Sequence, residues 1–432
     1  MNVSDTERAR SLVSGAGLAL AESAETADFV MLNTCSVRAK AERKVQARVF
    51  ELKRSRLRRP VQVGVMGCVA QLEGEGLLDA EGKVSLVAGT GAVERLPTLI
   101  KQAYVSARRV VDLSPRVEER SSEVPAAFRH SPCVAFVPII EGCNKFCTYC
   151  IVPYARGRER SRRPVDIIQE VLKLREAGVR EVHLIGQNVN SYYCASDNIS
   201  TSKGATHFSK LLRLVAETGI DRVKFTTSFP RDFHLDIVQA IEEYPNLCNW
   251  IHLPVQSGSN KILRAMRRGY TRAEYLSKVS AIHRASVDFS LTTDFIVGYP
   301  GETRQDFNDT LALLEECRFD SSYIFKFSPR AGTPAALLSS VPHKEEVNEQ
   351  FRLLTDVQYR IQKEKMSAYI GKVVDVLIEG TSKHSQAEFT GHTTCHKVVN
   401  FPMSSGYGVG DIAPVAISGV KANSFAGRLA HE

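Results

Sequence analysis

Between Val134 and Phe327, short apolar segments alternate with longer amphipathic ones six times over. Little but a parallel sheet covered by helices can absorb that rhythm. Strands are predicted at Val134–Ile140, Glu181–Ile185, Arg222–Thr227, Trp250–Val255, Ser290–Val297 and Tyr323–Phe327. The helices predicted between them are Val165–Ala177, Ser209–Thr218, Ile237–Glu243, Lys261–Arg268, Ala273–Ala285 and Gln305–Arg318. Six βα units with right-handed crossovers make an incomplete version of the eight-fold barrel, whose active residues stand at the carboxyl ends of the strands. The polar and cysteine-bearing segments fall at those ends. Cys143 follows the first strand, Gly186-Gln187-Asn188 the second, Ser228 the third and Gln256 the fourth; Gly298 follows the fifth and Ser328-Pro-Arg330 the sixth.

Cys143, Cys147 and Cys150 form a C-x3-C-x2-C run after the first strand. Their odd number and close spacing make a poor disulfide set, and a zinc ribbon would need a second C-x2-C pair that the chain lacks. Thiolates are the usual ligands of iron–sulfur clusters. Three of them on a cubic cluster leave one iron open to a small chelating molecule. The competing reading is a redox-active C-x2-C pair beside a third thiol. The chain has ten cysteines and no charged-then-apolar leader, which points to a reducing cytoplasm. No apolar run reaches the roughly 18–20 residues that span a bilayer.

At 432 residues the chain is too long for one ordinary core. In the N-terminal third, Ser4-Asp-Thr-Glu7 reads as a capping box opening a helix that runs to about Ala16. Strands are predicted at Asp28–Cys35, Val61–Cys68 and Val84–Thr90, with helices at Val37–Arg58 and Val93–Tyr104. This is a second parallel α/β sheet, and Cys35 and Cys68 share its ligand-binding edge. The polar stretch from Val105 to Pro132 reads as a linker. A long charged helix is predicted over His343–Ile370. Short strands follow at Val373–Ile378, Ala387–Thr390, Lys397–Phe401 and Ile412–Val420, enough for a small barrel. The net charge of +8 is concentrated: residues 1–60 carry 12 Lys/Arg against 7 Asp/Glu, and residues 141–164 carry 6 against 2. Such surface suits a polyanion such as RNA. Five arginines in Tyr154–Arg163 can pair with phosphates or a carboxylate.

The cysteine run, with Tyr149 before its last cysteine, resembles the cluster loop of radical S-adenosylmethionine (SAM) enzymes. Gly186-Gln-Asn-Val-Asn-Ser-Tyr, Leu253-Pro-Val-Gln-Ser-Gly-Ser, Met266-Arg-Arg-Gly-Tyr-Thr-Arg and Phe327-Ser-Pro-Arg-Ala-Gly-Thr resemble one branch, the methylthiotransferases. The resemblance covers nearly the whole chain. It implies a flavodoxin-like N-terminal domain (1–108), a radical SAM partial (β/α)6 barrel (129–366) and a small RNA-binding barrel, the TRAM domain (367–432). It implies two 4Fe-4S clusters, one on Cys143, Cys147 and Cys150 and one using Cys35 and Cys68. Tyr149, Gly186, Gln187, Asn188, Ser228, Gln256 and Asp294 become the candidate SAM contacts. The implied reaction uses two SAM molecules to place a methylthio group on carbon 2 of N6-isopentenyladenosine, position 37 of tRNA. The implied setting is a cytoplasmic monomer with tRNA as partner and a flavodoxin or ferredoxin as electron donor.

Two departures stand out. The family's second cluster takes three cysteines, and the first of these, in a Gly-Cys-Gln-Met-Asn segment ending the first strand, is absent. The expectation is that Met1 is an internal methionine, with the missing strand and cysteine upstream and a gap in the sheet. His392 and His396 also stand where the TRAM domain usually has arginines, and from residue 371 onward Lys/Arg and Asp/Glu balance at five each. Phosphate attraction there is weaker at neutral pH than the resemblance implies, unless the histidines are protonated. The competing functions are methylthiolation of threonylcarbamoyl-adenosine in tRNA or of a ribosomal-protein aspartate, and a non-catalytic RNA-binding protein with one structural cluster. Cys133, Cys194, Cys248, Cys317 and Cys395 show no ligand spacing, and Cys317 reads as core.

Overall fold

The computed structural model describes residues 1–36, 39–54, 61–78, 84–106, 108–116, 124–194, 206–383 and 385–430. They divide into two units. One is Met1–His130 with Glu141–Phe146 and Cys150–Arg160; the other is Ser131–Ile140 with Cys147–Tyr149 and Ser161–Glu432.

The first unit runs α1 (Asn2–Gly15), β1 (Phe29–Thr34), α2 (Ala39–Arg54), β2 (Gln62–Gly67), α3 (Cys68–Glu73), β3 (Leu86–Ala88), α4 (Leu96–Ser106) and β4 (Val110–Asp112). Its four strands are parallel and lie in sequential order. One face of the sheet packs Met66, Leu86 and Ala88 against Ala9 of α1 and Leu96, Leu99 and Ile100 of α4. The other packs Val63, Val65 and Val87 against Val45, Val49 and Leu52 of α2. A sheet buried on both faces needs continuous apolar strands, which Val-Gly-Val-Met supplies.

Three expectations change here. The capping box at Ser4–Glu7 does not form, because α1 already begins at Asn2. Ser4 is buried within the helix, and the Glu7 carboxylate accepts the His130 backbone N–H at 2.7 Å. The expected gap in the sheet is closed, since β1 pairs directly with β2 over Phe29↔Gln62 to Thr34↔Gly67. The stretch read as a linker contributes β4, which pairs with β3 through Leu86↔Val110. The expected ends of the α2 helix, at 37–38 and 55–58, lie outside the described residues.

The chain continues through β5 (Val134–Pro138), β6 (Ile140–Glu141), α5 (Val152–Arg156), β7 (Arg160–Ser161), α6 (Pro164–Glu176), β8 (Glu181–Ile185), α7 (His207–Ala216), β9 (Arg222–Phe225), α8 (Asp236–Glu243) and β10 (Trp250–His252). Next come α9 (Asn260–Ala265), α10 (Arg272–His283), β11 (Ser290–Val297), α11 (Arg304–Cys317), β12 (Ser321–Lys326) and α12 (Lys344–Ser367). The six barrel strands form two parallel three-stranded sheets, β5-β8-β9 and β10-β11-β12. Backbone bonds at Val223, such as Val223 N–H to Asn246 C=O at 2.8 Å, carry the chain between them. Helix starts follow local chemistry: α10 and α11 open with capping boxes, Thr271/Glu274 and Thr303/Asp306. The core mixes aliphatic side chains with aromatic ones such as Phe208, Tyr275 and Phe307, and includes Cys317, as expected.

Strands β13 (Val373–Ser382), β14 (Ser385–Thr393), β15 (Val398–Pro402), β16 (Ile412–Val420) and β17 (Ser424–Leu429) close a barrel in the order β13-β14-β15-β17-β16. Strand β17 was not expected. Among the described residues, no helix is long and apolar enough to cross a membrane.

Candidate active site: strand ends and the cysteine loop

In the first unit, Thr34 and Gly67 are register partners on neighbouring parallel strands. The residues that follow, Cys35 and Cys68, therefore leave the sheet at the same edge. Gly67 has φ 95°, and a Cβ there would stand 2.6 Å from Asn33 Oδ1 and 2.7 Å from the Thr34 carbonyl. Only glycine lets the chain turn so tightly from β2 into the Cys68 helix. Cys68 is buried and Cys35 half-buried. Burial pushes the Cys68 thiol up, against the pull of the Arg156 guanidinium. Arg156 is itself buried, yet it stays charged because Asp5 bonds it at 2.7 Å. The structure thus joins Cys35, Cys68, Arg156 and Asp5.

Cys143 is buried, and its N–H bonds the Gly157 carbonyl at 3.0 Å. Gly142 before it has φ 81°, and a Cβ there would collide with the Arg158 carbonyl, so the turn into Cys143 requires glycine. Cys150 is half-buried in the same unit.

In the second unit, the middle of the cysteine loop is pinned to the end of α9. Thr148 donates its N–H to the Met266 carbonyl at 3.2 Å, and its hydroxyl lies 2.9 Å from the Ala265 carbonyl and 2.8 Å from Tyr299 OH. Its neighbours on either side, Cys147 and Tyr149, share one guanidinium. Arg268 Nη1 lies 3.4 Å from both Cys147 Sγ and Tyr149 OH. Its Nη2 donates to the Pro254 carbonyl at 2.7 Å, its Nε to Tyr270 OH at 3.0 Å, and it stacks 4.3 Å from the Phe229 ring. Burial opposes its charge, but Tyr149, Tyr270 and Cys147 hold it firmly protonated. Arg268 lies in the Met266-Arg-Arg-Gly-Tyr-Thr-Arg segment, where nothing adjacent in sequence signals its partners.

Gly186, Gln187, Asn188, Ser228 and Gln256 follow the ends of β8, β9 and β10 as expected, whereas Asp294 lies within β11. Gly186 ends β8, where a Cβ would come within 2.8 Å of the Ile140 carbonyl. Gln187 and the buried Asn188 follow it. Beyond β9 and β10 the backbone is forced: Thr227 and Gln256 take φ 69° and 76°, a left-handed geometry costly for non-glycine residues. Asn190 braces the first turn by exchanging two 2.8 Å bonds with the Phe229 backbone. Gln256 N–H bonds the Asp294 carbonyl at 2.9 Å, and the Asp294 carboxylate lies 3.5 Å from His252. The Ser228 hydroxyl is buried with no hydrogen-bond partner among the described residues. Buried polar atoms are nearly always partnered, so an orphan at a strand end fits a site that takes a polar ligand. Reduced thiols beside a fixed cation fit an anionic iron–sulfur cluster at both cysteine sets. The second set offers two thiols in this chain.

One further group has metal-ligand chemistry. Glu181, His183 and His392 offer donor atoms within 4.8 Å of one another. They are already hydrogen-bonded together, and Lys224 adds a buried cation in Coulomb reach of His183. The group neutralises itself without an ion. His392, which stands where the TRAM domain usually has an arginine, is buried against Glu181, while His396 meets Lys224.

Family comparisons agree with this geometry. Residues 137–314 match the radical SAM superfamily, 1–89 an uncharacterized protein family, UPF0004, and 367–430 the TRAM domain. A radical SAM methyltransferase, TsrM of Kitasatospora setae, solved with cobalamin and a [4Fe-4S] cluster, shares the fold. It is 15% identical, with TM-score 0.57 over 78% of this chain and 74% of that one. The fold and the cysteine loop define a radical SAM enzyme.

Among curated proteins, the chain is 42% identical over its whole length to the tRNA-2-methylthio-N(6)-dimethylallyladenosine synthase of Methylococcus capsulatus, covering 94% of that protein. The synthases of Solibacter usitatus and Vibrio cholerae are also 42% identical, over 100% and 99% of the chain and 96% and 90% of their own lengths. The chain belongs to the tRNA-2-methylthio-N(6)-dimethylallyladenosine synthase family, a family of transferases.

Proposed function

We propose that the protein transfers a methylthio group to carbon 2 of N6-isopentenyladenosine beside the anticodon of tRNA, using 4Fe-4S clusters and two SAM molecules. Chemistry narrows the route. The hydrogen on adenine carbon 2 is unactivated, and no side-chain base has a pKa suited to removing it. The hard step therefore belongs to cofactors, with the protein supplying position, electrostatics and shielding. Bound together, a 4Fe-4S cluster and SAM supply one-electron cleavage of a carbon–sulfur bond and a radical able to break a C–H bond.

Cys143, Cys147 and Cys150 would hold the SAM-binding cluster, and Cys35 and Cys68 the second one. Arg268 stabilises negative charge at Cys147 while fixing Tyr149 on the same guanidinium. Arg156 does the same at Cys68, itself fixed by Asp5. Gly186, Gln187, Asn188, Ser228 and Gln256, beyond the strand ends, and Asp294, within β11, would hold SAM, with Tyr149 against its adenine. The observation that carries the reading is the buried guanidinium shared by Cys147 and Tyr149. A cation so placed has a ready counterpart in an anionic cluster.

The reading includes the division 1–108, 129–366 and 367–432, a cytoplasmic monomer, and a flavodoxin or ferredoxin as reductant. Mass spectrometry of tRNA from a deletion strain tests it. Isopentenyladenosine lacking its methylthio group is expected, and unchanged tRNA would contradict the assignment.

A further inference from the structure

The first unit contains a cavity of ≈ 470 Å³ at the carboxyl edge of its sheet, where β3 and β4 end at Thr90, Gly91 and Leu113. That edge is where open parallel sheets bind ligands, and the volume lies within the usual range for small-ligand pockets. Four arginines reach it: Arg116, Arg156, Arg158 and Arg160. Two are already neutralised, Arg156 by Asp5 at 2.7 Å and Arg116 by Glu141 at 2.5 Å. Arg160 gives one N–H to the Arg116 carbonyl at 2.8 Å, which aims its chain without touching its charge. Neither Arg158 nor Arg160 pairs with a carboxylate among the described residues, and both are exposed. The cavity therefore carries about two uncompensated positive charges.

The same wall holds an exposed aromatic ring. Tyr154 is 47% exposed, and Phe146 meets it edge to face, ring centres 5.9 Å apart. A fixed ring beside two forked cations has the chemistry of a nucleotide site, with a base on the ring and a phosphate on the guanidiniums. Arg156, on the cavity wall, also faces Cys68, so whatever fills the cavity lies one side chain from that thiol.

We infer that this cavity holds an unpaired nucleotide of the substrate RNA, its base stacked on Tyr154 and its phosphate paired with Arg158 and Arg160. The inference rests on the tRNA reading above and adds to it a recognition site in the first unit, lined by none of the candidate SAM contacts and by no residue of the TRAM barrel. An unpaired loop nucleotide fits because its base face is open to stacking, whereas helical RNA hides its bases.

The test is fluorescence anisotropy of a labelled anticodon stem-loop bearing isopentenyladenosine, titrated with the reconstituted full chain across a salt series. Variants are the double Arg158→Gln/Arg160→Gln, Tyr154→Ala and Tyr154→Phe. The double variant should weaken binding about tenfold near 0.1 M salt and flatten the log–log salt slope by about 0.7 to 1.4, one to two lost phosphate contacts. Tyr154→Ala should weaken it about fivefold or more, with the salt slope kept, and Tyr154→Phe should bind like the wild type. Unaltered thermal midpoints, expected for exposed side chains, check folding. Variants that bind with wild-type affinity and slope would overturn the inference and leave the tRNA reading standing. A wild-type protein that ignores the stem-loop would overturn both. Binding of free AMP that these variants lose, with RNA binding intact, would assign the cavity to a free nucleotide and overturn the RNA assignment.

Discussion

The strands β8, β9 and β10 carry different chemistry at their two ends. Their carboxyl ends lead to Gly186, Ser228 and Gln256, with forced backbone, an orphaned hydroxyl and, nearby, a guanidinium on Cys147. Their amino ends begin at Glu181, Arg222 and Trp250, and there every charge has found a protein partner. Glu181 bonds His183 and His392, Arg222 bonds the carbonyls of His392 and Asp375 at 2.9 and 2.8 Å, and Lys224 meets His396. Beside them Asp320 bonds Lys397 of the C-terminal barrel at 2.7 Å and also Lys365 of α12. One end leaves a buried hydroxyl open beside forced backbone; the other ties its charged side chains Glu181, Arg222 and Lys224 to protein partners. Buried polar groups alone do not mark function. What marks it is a polar group left waiting.

The contrast can be broken most forcefully at Glu181. Replacing it with Ala removes the carboxylate that His183 and His392 share and leaves His392 only Glu379, and breaking a buried charge pair typically costs about 3–5 kcal/mol. Urea unfolding should show that loss, while SAM cleavage per folded molecule stays as in the wild type. Lost cleavage in the folded protein would mean the two ends are not separate.

At the other end, Arg268→Met should leave stability less affected but lower SAM cleavage about 100-fold, the order lost with one preorganised charge-stabilising donor. Without that cation the cluster's reduction midpoint should move negative. Arg268→Lys should recover part of both, since it keeps the charge and loses the fork. An unmoved midpoint in Arg268→Met would reduce Arg268 to packing.

The amino ends should also impose a pH optimum on stability. Burial holds His183 below its ordinary pKa despite its bond to Glu181. Below about pH 6.5 the unfolded chain takes up a proton that the folded one refuses, so stability falls with falling pH. Burial also presses on His392, but Glu181 and Glu379 outweigh it and raise its pKa. Its contribution is complete below about 6.5 and fades as pH rises through the raised value. Each limb is worth at most about 1.4 kcal/mol per pH unit. Burial and Lys224 hold His396 down as well, so thermal midpoints should peak near neutrality and His183→Gln should flatten the acid limb in part while leaving the alkaline limb as it is. Equal flattening of both limbs would contradict the assignment.

The smallest effect belongs to Ser228→Ala. Losing one ligand-facing hydroxyl should raise KM for SAM several-fold with kcat near wild type. An unchanged KM would take Ser228 out of the site.

Long, strongly patterned segments were legible in the sequence. Strands β8, β11 and β16 match their predicted bounds, because β8 and β11 are largely buried apolar runs and β16 alternates buried with part-exposed residues, both plain strand patterns. The candidate residues at the strand ends follow from that alternation. Short or atypical elements were not legible: β4 is three residues inside a charged, Pro-punctuated stretch, and β17 (Ser-Phe-Ala-Gly-Arg-Leu) alternates small and large residues around a glycine. Ser4 mimicked a cap because local pattern cannot report that Asn2 already starts the turn. Arg268 escaped because its partner Cys147 is 121 residues away. The burial of His392 was not legible because nothing near it in sequence announces Glu181, 211 residues earlier. Local chemistry is written locally; a buried charge is explained only by what folding brings to it.

The central claim is that three neighbouring thiols hold a cluster serving SAM. It is tested most directly by iron and sulfide content and reductive SAM cleavage in anaerobically reconstituted wild-type protein and the Cys143→Ala/Cys147→Ala/Cys150→Ala variant. The account predicts that the variant loses one cluster's worth of iron, about four atoms, and all SAM cleavage. Equal iron uptake, or cleavage that persists without the three thiols, would contradict it.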